Sequence, residues 1–273
     1  MTSLIRTEWL KIKGYNAFWW VMGLTALSYP GVNYMFYWVY KDMTEQKNTA
    51  GKLLKMAVGN PFAFPEAWHS VAYFSSVFVF IPAVVVIMFI SNEYTFRTHR
   101  QNIIDGWGRG QFITSKLIDV LIVTLLITLL YVAASVVSGF VTLKDGDGNN
   151  WGQAYYTGLF ALQTFAQLSI AFLIGFLVRK AFIALGIFIF YFLILENILV
   201  SLFYVKVNDI GRFLPIEISD RMIPPPAFFG KLRSPEAYQQ SLDRIPMHVG
   251  MTIVLTTIIW LICYRINSKR DLK

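Results

Sequence analysis

The sequence predicts an all-α polytopic membrane protein with six transmembrane helices. Three observations predict it. Of 273 residues, 56% are hydrophobic and only 15% charged, whereas soluble domains carry about 25% charged residues. Mean hydropathy is +0.52. Asp, Glu, Lys and Arg leave six long gaps, at 14–40, 67–92, 120–143, 148–178, 181–205 and 245–264, and only Glu196 interrupts the fifth. A helix crossing the hydrocarbon core needs roughly 20 apolar residues, so each gap holds one span and none holds two. Lipid offers the backbone no hydrogen-bond partners, which selects helix, and the alternating dyads of a membrane barrel are absent. Aromatic content of 16% and a single cysteine, Cys263, exclude a disordered or disulfide-stapled chain.

Residues 2–13 come first, with Ile5, Trp9 and Ile12 at i, i+4, i+7 and Arg6, Lys11 and Lys13 polar. This spacing suits an amphipathic helix on the membrane surface and equally a plain basic flank. The spans are expected at about 18–39, 71–91, 118–142, 154–178, 181–204 and 247–264. The first is too long for a signal-peptide core and no A-x-A-like site follows it, so it is expected to be retained.

Between spans one and two, Lys52–Met56 reads as a short surface helix, and Pro61 and Pro65 break the chain. The turn Lys144–Asn150 contains Asp-x-Asp-Gly but lacks the remaining ligands of a calcium loop, which leaves a plain turn. The long segment 205–246 is expected to carry short helices. Ser234-Pro235-Glu236 is a helix start, Pro224-Pro225-Pro226 forbids helix, and many apolar residues favour packing on or into the membrane. The segment 92–116 is the one long polar stretch on its side. A helix is expected over Thr95–Ile104, ended by the Gly106–Gly110 cluster.

Six spans put both termini on one side. That side collects thirteen basic and five acidic residues, against eleven and ten on the other. The basic, acid-poor connections, such as Arg179-Lys180, place both termini in the cytoplasm. The formal charge of +8 therefore sets orientation and does not imply nucleic acid.

No catalytic constellation is present: the P-loop, G-x-S-x-G and H-E-x-x-H patterns are absent. His69, His99 and His248 lie apart, so no metal site is expected. Glu196 is the one formal charge inside a span, and such an acid is costly enough to be a functional candidate. It is read either as part of a substrate or proton path or as a residue hydrogen-bonded within the bundle. Gln163 and Gln167, one turn apart on span four, either hydrogen-bond between helices or line a path.

Residues 92–117 resemble the inner loop of the membrane subunits of type-2 ABC exporters, most closely the branch with bacitracin and lantibiotic self-protection permeases. In that pattern an acid leaves span two, a short G-T-[IL]-[RK]-N-x-L helix follows, and a small turn leads to S-R-x-x-[FY]-x-x-[SG]-K-[LI]. Glu93 matches the acid, Gln101-Asn102-Ile103-Ile104 the N-x-L part, Asp105-Gly106 the turn, and Phe112 and Ser115-Lys116-Leu117 the end. The Gly before Thr is missing, and Gly108 precedes Arg109 where Ser is usual.

The resemblance implies one transmembrane domain over residues 1–273 in a prokaryotic cytoplasmic membrane. It implies a coupling helix that docks on an ABC ATPase subunit dimer, and a second permease copy, identical or related. ATP and Mg²⁺ would then belong to the partner, and this chain would be no enzyme. The coupling role is carried to Glu93, Thr95, Arg97, Arg100, Arg109 and Lys116. With no charged pocket in view, the implied cargo is an amphiphilic or lipid-like molecule such as a membrane-active peptide. Other classes that stay open are an ion- or proton-coupled carrier using Glu196, and a non-transporting membrane assembly factor.

Overall fold

The structure, a computed structural model, describes residues 2–45, 59–104, 106–142, 149–206 and 209–269. Lys52–Met56 and most of the turn at Lys144–Asn150 lie outside them. Among the described residues every regular element is helical. They are α1 (Thr2–Lys13), α2 (Asn16–Glu45), α3 (Glu66–Ser76), α4 (Phe80–Thr95), α5 (Thr98–Ile104), α6 (Arg109–Val141), α7 (Tyr156–Val178), α8 (Ala181–Phe190), α9 (Glu196–Lys206), α10 (Pro215–Asp220), α11 (Ala227–Arg233), α12 (Pro235–Asp243) and α13 (Ile245–Lys269).

Among the described residues, four stretches are long and apolar enough to cross a membrane: α6, α7, Ala181–Val205 and α13. The pair α3 and α4 makes a fifth if the two are one span, bent by 52°. The sequence shows no such bend within 71–91, but Pro82 explains it. Its ring has no N–H for the Phe78 carbonyl and crowds it, so Val77–Val79 turn through i→i−3 bonds such as Phe78 N–H to the Ser75 carbonyl at 3.0 Å. Helix α2 has 30 residues, about 45 Å. Its tryptophans, tyrosines and terminal charges keep it less apolar than the other four.

Between α8 and α9, Tyr191–Leu195 form one π-helical turn. The Asn197 amide donates to the carbonyls of Leu193 at 3.1 Å and Phe192 at 3.3 Å, which the wider turn leaves accessible.

Helix α7 runs through the middle of the bundle and packs on α4, α6 and α13. Gly175 sets its approach to α4: a Cβ there would sit 2.6 Å from Ile90 Cγ2. Small residues at such crossings let backbones come close, which matters where lipid removes the hydrophobic drive between helices. Large side chains fill the remaining core, among them Tyr29, Trp68, Tyr131, Phe160 and Phe172.

The segment after α9 carries short helices, as expected, and Ser234 caps α12 by accepting from the Ala237 N–H at 3.3 Å. Part of it folds back into the bundle, with Ile216, Met222, Ile223 and Phe228 buried. His69 makes a hydrogen bond of 2.7 Å with the Pro224 carbonyl. That oxygen only accepts, so Nε2 carries the proton.

Candidate functional site

Two polar assemblies stand out, one at each end of the bundle. The first lies where α1 packs on α6. Helix α1 does not simply rest on a surface through an apolar face. It turns Glu8 and Ile12 inward, each 1% exposed, and leaves Leu10 outside. Lys116, 2% exposed on α6, donates to Glu8 Oε2 at 2.7 Å, Glu93 Oε1 at 2.9 Å and Asp119 Oδ2 at 3.0 Å. Lys11 donates to Glu8 Oε1 at 3.0 Å and Glu93 Oε1 at 3.1 Å. Three carboxylates and two ammonium groups thus knit α1, α4 and α6 together. Burial would raise the Glu8 carboxyl, but Lys116, reinforced by Lys11, holds it below the ordinary carboxylate range.

Glu93 also roots the short helix α5. Its second carboxylate oxygen accepts from the Thr98 hydroxyl, and its backbone carbonyl lies 3.0 Å from His99 Nδ1. The expected helix Thr95–Ile104 is therefore broken. Arg97 adopts a left-handed backbone, φ 56°, which ends α4, and α5 restarts at Thr98 in a new direction. Beyond that root α5 faces outward: Phe96 is 71% and Ile104 77% exposed, with Arg97 and Gln101 exposed between them.

The six residues assigned to coupling separate into two groups. Glu93 and Lys116 are buried in the ionic cluster. Thr95, Arg97 and Arg109 are exposed, and Arg100 is half-exposed. The Thr95 hydroxyl donates to the Ser91 carbonyl at 3.0 Å within its own helix. Arg109 reaches across to α13, donating to the Ser268 carbonyl at 2.7 Å, while the Asn267 amide donates to the Arg109 carbonyl at 2.7 Å. Glu8 and Asp119 were missed as cluster members. Their i, i+3 spacing to Lys11 and Lys116 was the available signal.

The second assembly gathers Glu196, Gln163 and Gln167 around α10. Glu196 Oε1 accepts from the backbone N–H groups of Ile216 and Glu217, both at 2.7 Å. A carboxylate at a helix N-terminus satisfies donors that have no partner within the helix. At the other end, the Gln163 and Gln167 amides donate to Asp220 Oδ1 at 2.7 and 2.6 Å. Burial pushes the Asp220 carboxyl up to about 7, the Gln163 hydrogen bond opposing it. All three path candidates thus clasp one six-residue helix by hydrogen bonds. No group of His, Cys, Asp or Glu among the described residues has the arrangement of a metal site.

The model of a family described as ABC-2 family transporter protein matches residues 4–195. The chain belongs to this family. The match takes in α1 through Leu195, and so the whole ionic cluster and α5. As an ABC-2 family member the chain is a multi-pass membrane protein and a permease of an ABC transporter. No curated protein and no solved structure matches it.

Proposed function

We propose that this permease is the membrane half of an ATP-driven exporter, working with separate ABC ATPase subunits and a second permease copy. Six spans are assigned to α2, α3 with α4, α6, α7, α8 with α9, and α13. Both termini lie in the cytoplasm of a prokaryotic cell membrane, and the cargo is amphiphilic or lipid-like. The observation that carries this reading is α5. It is a short exposed helix between the cytoplasmic ends of spans two and three, with apolar and basic side chains outward and its base fixed in the ionic cluster. A helix held this way passes a push at its surface to α1, α4 and α6 together, because Glu93, itself on α4, bonds to Thr98 of α5, Lys11 of α1 and Lys116 of α6. In this role Arg97, Arg100 and the flanking Phe96 and Ile104 meet the ATPase, Glu93 and Lys116 transmit, and Arg109 ties the loop to α13. ATP and Mg²⁺ sit on the partner.

The test is detergent extraction from native membranes. A nucleotide-binding subunit co-purifies with the wild-type chain, and Arg97→Glu with Ile104→Asp releases it while the permease stays inserted and folded. Absence of any ATPase from the wild-type complex overturns the reading.

A further inference from the structure

An open cleft of about 500 Å³ lies where α6 begins and α13 finishes, lined by Arg109, Leu261, Tyr264 and Arg265 among others. Hydrogen bonds between the two helices hold its walls. Arg109 Nη1 donates to the Ser268 carbonyl and the Asn267 amide donates to the Arg109 carbonyl, both at 2.7 Å. The Thr114 and Tyr264 hydroxyls lie 2.7 Å apart one turn further in. Two guanidinium groups thus meet at a braced junction, and among the described residues no acidic side chain lines it. Arg265 is exposed, and its side chain has no hydrogen-bonded or ionic partner among the described residues.

The surface leading away from these charges is apolar. Val254, Ile258, Leu261 and Arg265 are spaced i, i+4, i+7, i+11, which puts them on one face of α13. Val254, Ile258 and Leu261 are 59%, 47% and 62% exposed, and Lys269 is exposed one turn beyond Arg265. Both helices are long and apolar enough to be spans. The face therefore runs from hydrocarbon depth to a basic end, the division that a phospholipid has in the same order. A cytosolic protein or a free anion would match the basic end and leave the apolar stripe unused. Guanidinium groups suit phosphate oxygens in particular, because their N–H groups form a planar fork, and basic pockets between spans hold anionic headgroups.

We propose that this cleft binds an anionic phospholipid, its phosphodiester held by Arg109 and Arg265 and an acyl chain lying along Leu261, Ile258 and Val254. The inference rests on the permease reading only for the end of α13 lying at the membrane surface.

The test uses the full chain in phosphatidylcholine nanodiscs. Phosphatidylglycerol and phosphatidylcholine carrying the same diazirine-tagged acyl chain are added in turn as tracers. They share the phosphodiester and differ in net charge. Mass spectrometry maps the label on peptides covering Val254–Arg265. A basic residue at the surface contributes about fivefold in affinity for anionic lipid, so phosphatidylglycerol is expected to label these peptides roughly 25-fold more. Arg265→Gln lowers that preference roughly fivefold at an unchanged melting temperature, and Arg265→Lys keeps most of it. Lys180→Gln removes the same charge from an exposed residue outside the cleft and leaves the preference intact. Soluble glycerophosphate in excess does not compete, because it has no chain to follow Leu261. Equal labelling by both lipids in the wild type, no change in Arg265→Gln, or an equal fall in Lys180→Gln overturns the proposal. So does full displacement by glycerophosphate, which would make the cleft a soluble-anion site. Release of a co-purifying ATPase by Arg265→Gln with labelling unchanged would make it a protein contact and overturns the proposal as well. The labelling needs no ATPase, so its failure leaves the permease reading standing, and an absent ATPase leaves the labelling result standing.

Discussion

Replacing Lys116 with Met tests the ionic cluster most directly. Methionine keeps the length of the side chain and removes its charge. The ammonium makes three bonds, at 2.7, 2.9 and 3.0 Å. Hydrogen bonds to charged groups contribute about 1.5–3 kcal/mol each. Desolvation of the buried ammonium takes back much of that sum, so the net worth of the intact cluster is small. Removal of one partner is different, because it strands Glu8, Glu93 and Asp119 with Lys11 alone, and breaking a buried pair costs about 3–5 kcal/mol. The variant is expected to lose that amount in a denaturant titration in detergent.

The pH dependence carries a second signature. In the wild type the Glu8 carboxyl is held low. It therefore contributes stability above its unfolded value of about 4.3, lost as pH falls through the folded value. Without Lys116, burial dominates and the folded value rises above the unfolded one. The contribution of Glu8 is then present at low pH and lost as pH climbs, so the slope just above about pH 4 reverses sign. A loss below about 1 kcal/mol, with the wild-type slope retained, would refute the cluster as a stabilising unit.

Three further outcomes follow from the geometry. Because Asp220 is raised to about 7, its contribution is full below the unfolded value near 4 and is lost as pH rises through 7. The melting temperature falls across that window, and Asp220→Asn flattens the fall. Glu196→Leu strands two backbone N–H groups at about 1–3 kcal/mol each, whereas Glu196→Gln keeps an acceptor oxygen and costs less. Thermal unfolding of the pair separates capping from a charge requirement. Gly175→Val forces a contact tighter than the 2.6 Å already met by a Cβ, and is expected to cost about 1–3 kcal/mol in the same assay.

That the chain is helical and crosses a membrane several times was legible because charge-free runs report a solvent, and the solvent decides helix. Ser234 and Pro224–Pro226 were legible because caps and prolines act locally. What escaped the sequence was pairing at a distance. Glu8 and Lys116 are 108 residues apart, and only their local i, i+3 halves show in the chain. Glu196 looked like a lone acid in a search for charged partners, yet its partners are the uncharged N–H groups of Ile216 and Glu217. The bend before α4 lay in Pro82, hidden inside an apolar run. The break after α4 falls on Arg97, a residue type that gives no warning of a left-handed turn, where glycine would have announced it.

The 108-residue separation between Glu8 and Lys116 also sets a schedule for biogenesis. At roughly 5–20 residues per second of synthesis, α1 leaves the ribosome about 5–20 s before its lysine. During that interval Glu8 has only Lys11 beside it and nothing inside the bundle to hold it. Helix α1 is thus made early and locks late, and its docking marks a nascent chain in which α4 and α6 already lie side by side.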